Sequence, residues 1–348
     1  MPAGERPGRH MAAEVHEQPA VWQRILADQQ SIRDIAARLA AARPRFVLLA
    51  ARGTSDHAAL YAKYLVEITH ELPAGLVSPS TLTAYGARPR LDGVLLIAVS
   101  QSGHSPDLVR TIEIGRGQGA LTLAITNDAL SPLAQAGELH LDIRAGREQA
   151  VAATKSYTAQ LLTLYLLLVH MRGADWRAVE RVAEWGRLLL DQDGTIGIIA
   201  ERYRFAERLV VTARGYSYAT AREAALKLME TSYIAAQAFS GADLLHGPLA
   251  MIDPLVPVLA VIPAGVGGTA MLPVLARLRE ARADVFSVGH AGAVAASSAG
   301  LVLPEGVPEE ASPILGILPF QMLALHLALA RGADPDAPRR LSKVTETL

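Results

Sequence analysis

The sequence predicts an α/β protein made of two copies of one unit, each a doubly wound, mostly parallel sheet flanked by helices. Three observations predict it. Ala51-Arg52-Gly53-Thr54-Ser55 returns as Ala213-Arg214-Gly215-Tyr216-Ser217, a shift of 162 positions. The strand-like run Leu95 to Gly103 returns as Pro257 to Gly265 at the same shift. Short Val/Ile/Leu/Ala runs alternate with helix-like runs throughout, the pattern of parallel strands buried on both faces.

In chain order, Met1 to Ala13 is rich in Pro, Gly and Arg and reads as a frayed arm, with Met11 as an alternative start. Glu14 to Ala41 has helical spacing, with Ile25, Leu26, Ile32, Ile35 and Leu39 as its apolar stripe. Strands are expected at Phe46 to Ala50, Val94 to Val99, Leu121 to Thr126 and Leu139 to Ile143. Helices are expected at Asp56 to Thr69, from about Pro106 to Arg116, and at Tyr157 to Met171. Trp176 to Glu207 reads as a charged helical connector turning at Asp191-Gln192-Asp193-Gly194. The second copy repeats the order, with strands at Leu209 to Thr212, Val256 to Ile262, Val285 to Val288 and Leu301 to Leu303. Its closing helix, Ile317 to Ala330, sets Gln321 opposite Gln160. The expected division is an arm and helix start (1–30), a first domain (31–175), the connector (176–207), a second domain (208–332) and an irregular tail (333–348) holding Pro335 and Pro338.

Composition narrows the function. Hydrophobic residues are 51% and charged ones 19%, so the 348 residues suffice for two packed cores rather than a disordered chain. A net charge of −1 gives no electrostatic case for nucleic acid or an anionic membrane as partner. With no cysteine, disulfides, thiolate metal sites and a cysteine nucleophile are excluded, which fits a reducing cytoplasm. The apolar stretches Leu161 to Val169 and Leu323 to Ala330 are too short for a bilayer and read as core helices. The first residues lack the apolar core of a signal peptide.

The two copies differ most in the loop after their second expected strand. The first reads Ser100-Gln101-Ser102-Gly103-His104-Ser105, and the second Ile262-Pro263-Ala264-Gly265-Val266-Gly267. Ligands of such sheets sit at the carboxyl ends of the strands. With Ser105 as N-cap and Pro106 as first helical residue, free N–H groups and the positive end of the helix face this loop. Ser100, Gln101, Ser102 and Ser105 then suit a phosphate monoester, without a P-loop lysine. The alternative is a capped turn that binds nothing. Gly53-Thr54-Ser55 is the companion loop, by itself a helix cap as readily as a ligand.

Three segments hold acid–base groups. Lys227 and Glu230 share one helical face, as a proton-shuttling pair or as a solvated i,i+3 ion pair. His246 precedes Gly247-Pro248 and so is displayed on a rigid turn. Lys343, in the tail, is a solvated terminal lysine or part of a lid. No His/Asp/Glu cluster has convincing metal-ligand spacing, and no metal or organic cofactor is expected.

Together these residues resemble the isomerase half of glucosamine-6-phosphate synthase, built from two tandem sugar-isomerase (SIS) domains. The resemblance runs from about Phe46 to Val344 through Gly53-Thr54-Ser55, Ser100-Gln101-Ser102-Gly103, Val151-Ala152-Ala153-Thr154-Lys155, Ala225-Leu226-Lys227, Glu230, His246-Gly247-Pro248-Leu249-Ala250 and Asp336-Ala337-Pro338-Arg339. It implies that Thr54, Ser100, Gln101, Ser102 and Ser105 hold a sugar phosphate. It further implies that Glu230 moves a proton between C1 and C2, that His246 helps open the ring, and that Lys343 engages the open-chain carbonyl. It also implies a homodimer whose sites are completed by the neighbour's His-Gly-Pro loop.

The chain departs from that enzyme. Nothing the size of its glutaminase precedes the first domain, so glutamine is not the expected amine donor. Ala51-Arg52 stands for the usual cysteine before Gly-Thr-Ser, His104-Ser105 for Glu-Thr, Ala153 for a serine that touches the sugar, and Leu245 for a lysine. The stretches around Arg52, His104 and Ala153 are similar to stand-alone SIS-type glucosamine-6-phosphate deaminases. The implied activity is an aminosugar-6-phosphate deaminase and aldose–ketose isomerase. The alternatives are ammonia-dependent synthesis of an amino sugar phosphate and a non-catalytic phosphosugar-binding regulator.

Overall fold

The computed structural model describes residues 6–343. The chain divides into two compact units: a first of residues 20–148, 155–180 and 342–343, and a second of residues 6–19, 149–154 and 181–341. In chain order come α1 (Arg9–Ala27), α2 (Gln30–Ala42), β1 (Phe46–Ala50), α3 (Thr54–Thr69), β2 (Ala74–Leu76), α4 (Pro79–Thr83), β3 (Val94–Ser100), α5 (Pro106–Gly117), β4 (Leu121–Thr126), α6 (Pro132–Ala136), β5 (Leu139–Asp142) and α7 (Lys155–Met171).

The first unit's five strands pair in parallel in the order β2-β1-β3-β4-β5, with Leu95 between Val47 and Leu121. From Leu95 to Ser100 every residue of β3 is buried, which is why the strand reads as an unbroken apolar run rather than an alternation. The core helix α7 is buried from Lys155 to Val169. Across it, the Trp22 indole N–H donates to Thr158 Oγ1 at 3.1 Å.

The second unit continues with α8 (Val182–Leu190), α9 (Asp193–Tyr203), β6 (Arg208–Ala213), α10 (Tyr218–Ser232), β7 (Ala235–Ser240), α11 (Gly241–Leu245), β8 (Val258–Ile262), α12 (Val266–Glu280), β9 (Val285–Gly289), α13 (Ala291–Ala295), β10 (Ala299–Val302), α14 (Ser312–Gly316) and α15 (Leu318–Ala330). Its order, β7-β6-β8-β9-β10, is the first unit's order again, all parallel. Numbered within each unit, both sheets read 2-1-3-4-5, so the chain turns from one side of the sheet to the other between the first and third strands. The expected fold class is the one observed.

Several elements differ from expectation. The edge strands β2 and β7 were not foreseen: Ala-Gly-Leu and Ala-Ala-Gln-Ala-Phe-Ser carry little β-branched or continuous apolar character. The expected charged connector forms α8 and α9, whose Val182, Trp185, Leu189, Ile196 and Tyr203 are buried, with α9 packed along α15. The expected frayed arm is helical from Arg9, and Met11 is fully buried. Asp334 accepts the Gly8 N–H at 3.0 Å, and Asp336 accepts those of His10 and Met11 at 2.8 and 2.7 Å. These carboxylates satisfy amides that a helix start leaves without partners. Residues 1–5 lie outside the described ones.

The reading of Leu323 to Ala330 as part of a core helix holds, although the helical run is longer than that stretch. Helical turns before α15 lengthen its run to Glu309–Ala330, 22 residues that hold an 18-residue stretch of mean hydropathy 1.8, enough by length and composition to span a membrane. Its most apolar stretch is 83% buried inside the protein, as in a core helix.

Candidate functional site

In the first unit, the carboxyl ends of β1 and β3 flank the point where the strand order reverses, and both hydroxyl-bearing loops sit there. Gly53, at φ +54, turns the chain into α3, and Thr54 is its first residue. Ser55 is buried, and its hydroxyl accepts a hydrogen bond from Gln160 Nε2 at 2.9 Å. It ties α3 to the core helix α7.

The second loop is a tight turn organised by its own serines. Ser100 Oγ accepts the Gly103 N–H at 3.0 Å, and Ser102 Oγ accepts the His104 N–H at 3.3 Å. The carbonyl of Gln101 accepts the Asn127 N–H at 3.1 Å. Ser105 is the N-cap of α5 in extended geometry and Pro106 its first residue, but the Ser105 side chain makes no capping bond. Gln101, Ser102 and Ser105 are half-buried, and His104 is exposed.

Gly103 has no alternative at its position. It stands at φ +68, and a Cβ there would lie 2.2 Å from Ser131 Oγ and 2.5 Å from Ser131 Cβ. Gly103→Ala is expected to cost about 1–3 kcal/mol, read as a lowered thermal midpoint. An unchanged midpoint would mean that the loop shifts off α6 without penalty.

The sequence reading missed the link between the two loops. Arg52, after β1, donates from Nε and Nη2 to Asp107 Oδ2, both at 2.7 Å. The Asp107 side chain is 1% exposed and that of Arg52 48%. The guanidinium is thus pinned beside the first turn of α5. The available signal was the arginine standing where the related synthase has a cysteine.

Lys343, read as solvated or as a lid, is neither free nor fully exposed. Its ammonium donates to Glu148 Oε2 at 2.8 Å. The Glu148 carboxylate is buried and also accepts the Ser156 N–H at 3.0 Å and the Ser156 hydroxyl at 2.8 Å.

The second unit holds Ala153, Lys227, Glu230 and His246. Ala153 is half-buried in a segment whose Gln149 and Ala150 N–H groups donate to the Glu14 carboxylate. On α10 the expected pair is a triad. Lys227 Nζ lies 2.5 Å from Glu230 Oε2 and 3.3 Å from Glu223 Oε1, with side-chain exposures of 0%, 22% and 0% in the order Lys227, Glu230, Glu223. A solvated ion pair is therefore excluded. Burial alone would push the Lys227 ammonium down, but Glu223 and then Glu230 outweigh it and hold its pKa above the ordinary lysine value. Lys227 thus stays charged, pinned by Glu223 from one side, and pins Glu230, the one carboxylate of the three residues that reaches solvent. Glu223, four residues before Lys227, was legible as a same-face partner and was overlooked.

His246 is exposed at the end of α11, where Gly247 at φ +137 turns the chain into Pro248. Ser240 fixes that short helix by accepting the Asp243 N–H at 3.2 Å and donating to Asp243 Oδ2 at 2.7 Å. The histidine is displayed on a rigid turn, as its sequence context suggested.

Comparison with known proteins fits this geometry. The SIS domain family matches residues 41–170 and 203–331. A glutamine–fructose-6-phosphate aminotransferase (isomerizing) from Gloeobacter violaceus is 36% identical, over 96% of this chain and 58% of that protein. Among solved structures, a candidate phosphosugar isomerase from Silicibacter pomeroyi DSS-3 is 33% identical with TM-score 0.86, covering 94% of this chain and 99% of that one. The C-terminal domain of glucosamine-fructose-6-phosphate aminotransferase from Francisella tularensis is 26% identical with TM-score 0.83, covering 97% of this chain and all of that domain. The chain spans little more than half the length of the curated relatives it matches.

Proposed function

The chain belongs to the SIS domain family, and from that premise we propose that it is an aminosugar-6-phosphate deaminase and aldose–ketose isomerase. Its substrate is glucosamine 6-phosphate or a close relative, and its products are fructose 6-phosphate and ammonia. The observation that carries this reading is the serine loop of residues 100–105 at the reversal point of the first sheet, set on the N-terminus of α5. Its N–H groups and hydroxyls suit a phosphate dianion and would fix one end of the sugar, lowering the entropic cost of orienting the other.

In the proposed reaction His246 assists ring opening by moving a proton between the ring oxygen and O1. Glu230 takes the C2 proton of the open-chain aldehyde and returns it to C1. The C2–H electron pair forms the C1=C2 bond of an enolamine as O1 takes a proton. When C1 is protonated that pair becomes the new C1–H bond, the nitrogen lone pair forms C2=N with loss of an N–H proton, and C1 is left as a hydroxymethyl. Water adds to the ketimine, and ammonia leaves. In this reading Lys227, paired with Glu230, keeps that carboxylate oriented, and Lys343, paired with Glu148, engages the open-chain carbonyl. The exposed His246 turn suits a homodimer in which each chain completes its neighbour's site. The lack of cysteine is in keeping with a cytoplasmic enzyme.

The names of the relatives favour a second reading, amino sugar phosphate synthesis from fructose 6-phosphate and free ammonia, which runs the same steps backwards. Ammonia release from glucosamine 6-phosphate, with galactosamine 6-phosphate in parallel, tests the forward direction. Ser100→Ala/Ser102→Ala is expected to raise KM at least tenfold with kcat little changed, since the phosphate they are proposed to hold is on C6, away from the reacting C1 and C2. Phosphosugar binding without turnover in either direction would leave a regulator as the surviving reading.

A further inference from the structure

The second unit has its own loop at the reversal point of its sheet, and there the chain itself supplies an anion. Pro263-Ala264-Gly265-Val266 is the counterpart of Gln101-Ser102-Gly103-His104, 162 positions on. At the start of α12 the N–H groups of Val266 and Gly267 donate to Glu309 Oε2 and Oε1 at 2.7 and 2.6 Å. One carboxylate, from more than 40 residues downstream, takes one amide on each oxygen, as a bound oxyanion would. It is held in place, because the Glu309 carbonyl accepts the Ser312 hydroxyl at 2.7 Å. Gly265, at φ +134, leaves space for it: a Cβ there would lie 2.2 Å from Glu309 Oε2. A cavity of about 240 Å³, lined by Pro263, Ala264, His290, Pro304, Gly306 and Ser312, adjoins the same loop.

We propose that the second unit retains an oxyanion site of the phosphate-monoester class, and that Glu309 occupies it as an internal surrogate ligand. The carboxylate closes that site, so each chain takes one phosphosugar, in the first unit. For the first unit this rests on the serine-loop reading above.

Glu309→Ala removes the carboxylate and leaves the loop in place. Titration calorimetry with glucosamine 6-phosphate and with inorganic phosphate is expected to give one site per chain in the wild type and two in Glu309→Ala. In the Ser100→Ala/Ser102→Ala background, Glu309→Ala is expected to restore one phosphate site. That arm separates the two readings. If the serine substitutions leave wild-type binding intact, the first-unit reading fails while the gain from Glu309→Ala still stands. A folded Glu309→Ala protein with no added site overturns the proposal. Should that variant not fold, hydrogen exchange in the wild type decides. The Val266 and Gly267 amides are expected to be protected and unaffected by saturating phosphate, and a phosphate-dependent change there overturns the closure.

Discussion

Glu230→Gln is expected to lower kcat for ammonia release by about a thousandfold, the middle of the range for losing a general base. KM and phosphosugar affinity should change little, because the phosphate is held elsewhere in the chain. The substitution is also a clean one for stability. Glu230 is one of two carboxylates on the Lys227 ammonium, and the buried Glu223 remains opposite that charge after Glu230 is neutralised. A loss of turnover with an unchanged melting profile therefore assigns the C2 base. Turnover within tenfold of wild type would move that role to another residue.

Lys227→Met is expected to damage the fold as well as the chemistry. It takes an ammonium from between two carboxylates, one of them fully buried. Breaking a buried pair on one side costs about 3–5 kcal/mol, because the remaining charge is left in a low-dielectric interior. At roughly 2–4 °C per kcal/mol for units of this size, the thermal midpoint should fall by on the order of 10 °C. Glu223→Gln/Lys227→Met removes both buried charges and should recover most of that loss. A single variant as stable as the wild type would show that the interior at α10 relaxes or hydrates. The pH dependence has a definite sign. The folded pKa of Lys227 is raised, so its contribution is complete below the ordinary value of 10.5 and is lost only as pH climbs through the higher folded value.

The central strands were legible because burial on both faces leaves an unbroken apolar run, as in Val94 to Val99 and Leu121 to Thr126. The repeat was legible because Gly53 and Gly215 hold corresponding turns into α3 and α10. Edge strands escaped notice because exposed Ala235 and Gln237 leave β7 no such run. The N-terminal helix escaped for another reason. Its first amides are satisfied by Asp334 and Asp336, so no local capping residue marks its start. Candidate-site residues with a local signature, His246 before Gly-Pro and Ser105 before Pro106, sit as their neighbours dictate. The partners that give a residue its character are distant in sequence. Arg52 finds Asp107, Lys343 finds Glu148, and Val266 and Gly267 find Glu309. None of these spacings is periodic, so no window of sequence reveals them.

The clasp of Asp334 and Asp336 on the first turn of α1 also sets an order of events during synthesis. Gly8 and Met11 are synthesised first, and the carboxylates that cap them are made more than 300 residues later. At typical elongation rates of 5–20 residues per second, that helix start waits roughly 15–65 seconds for its partners. Most of the first unit is complete in the nascent chain well before then. The second unit is closed by a segment made after both sheets, so a ribosome stalled before Asp334 carries a finished first sheet and a helix start still without its cap.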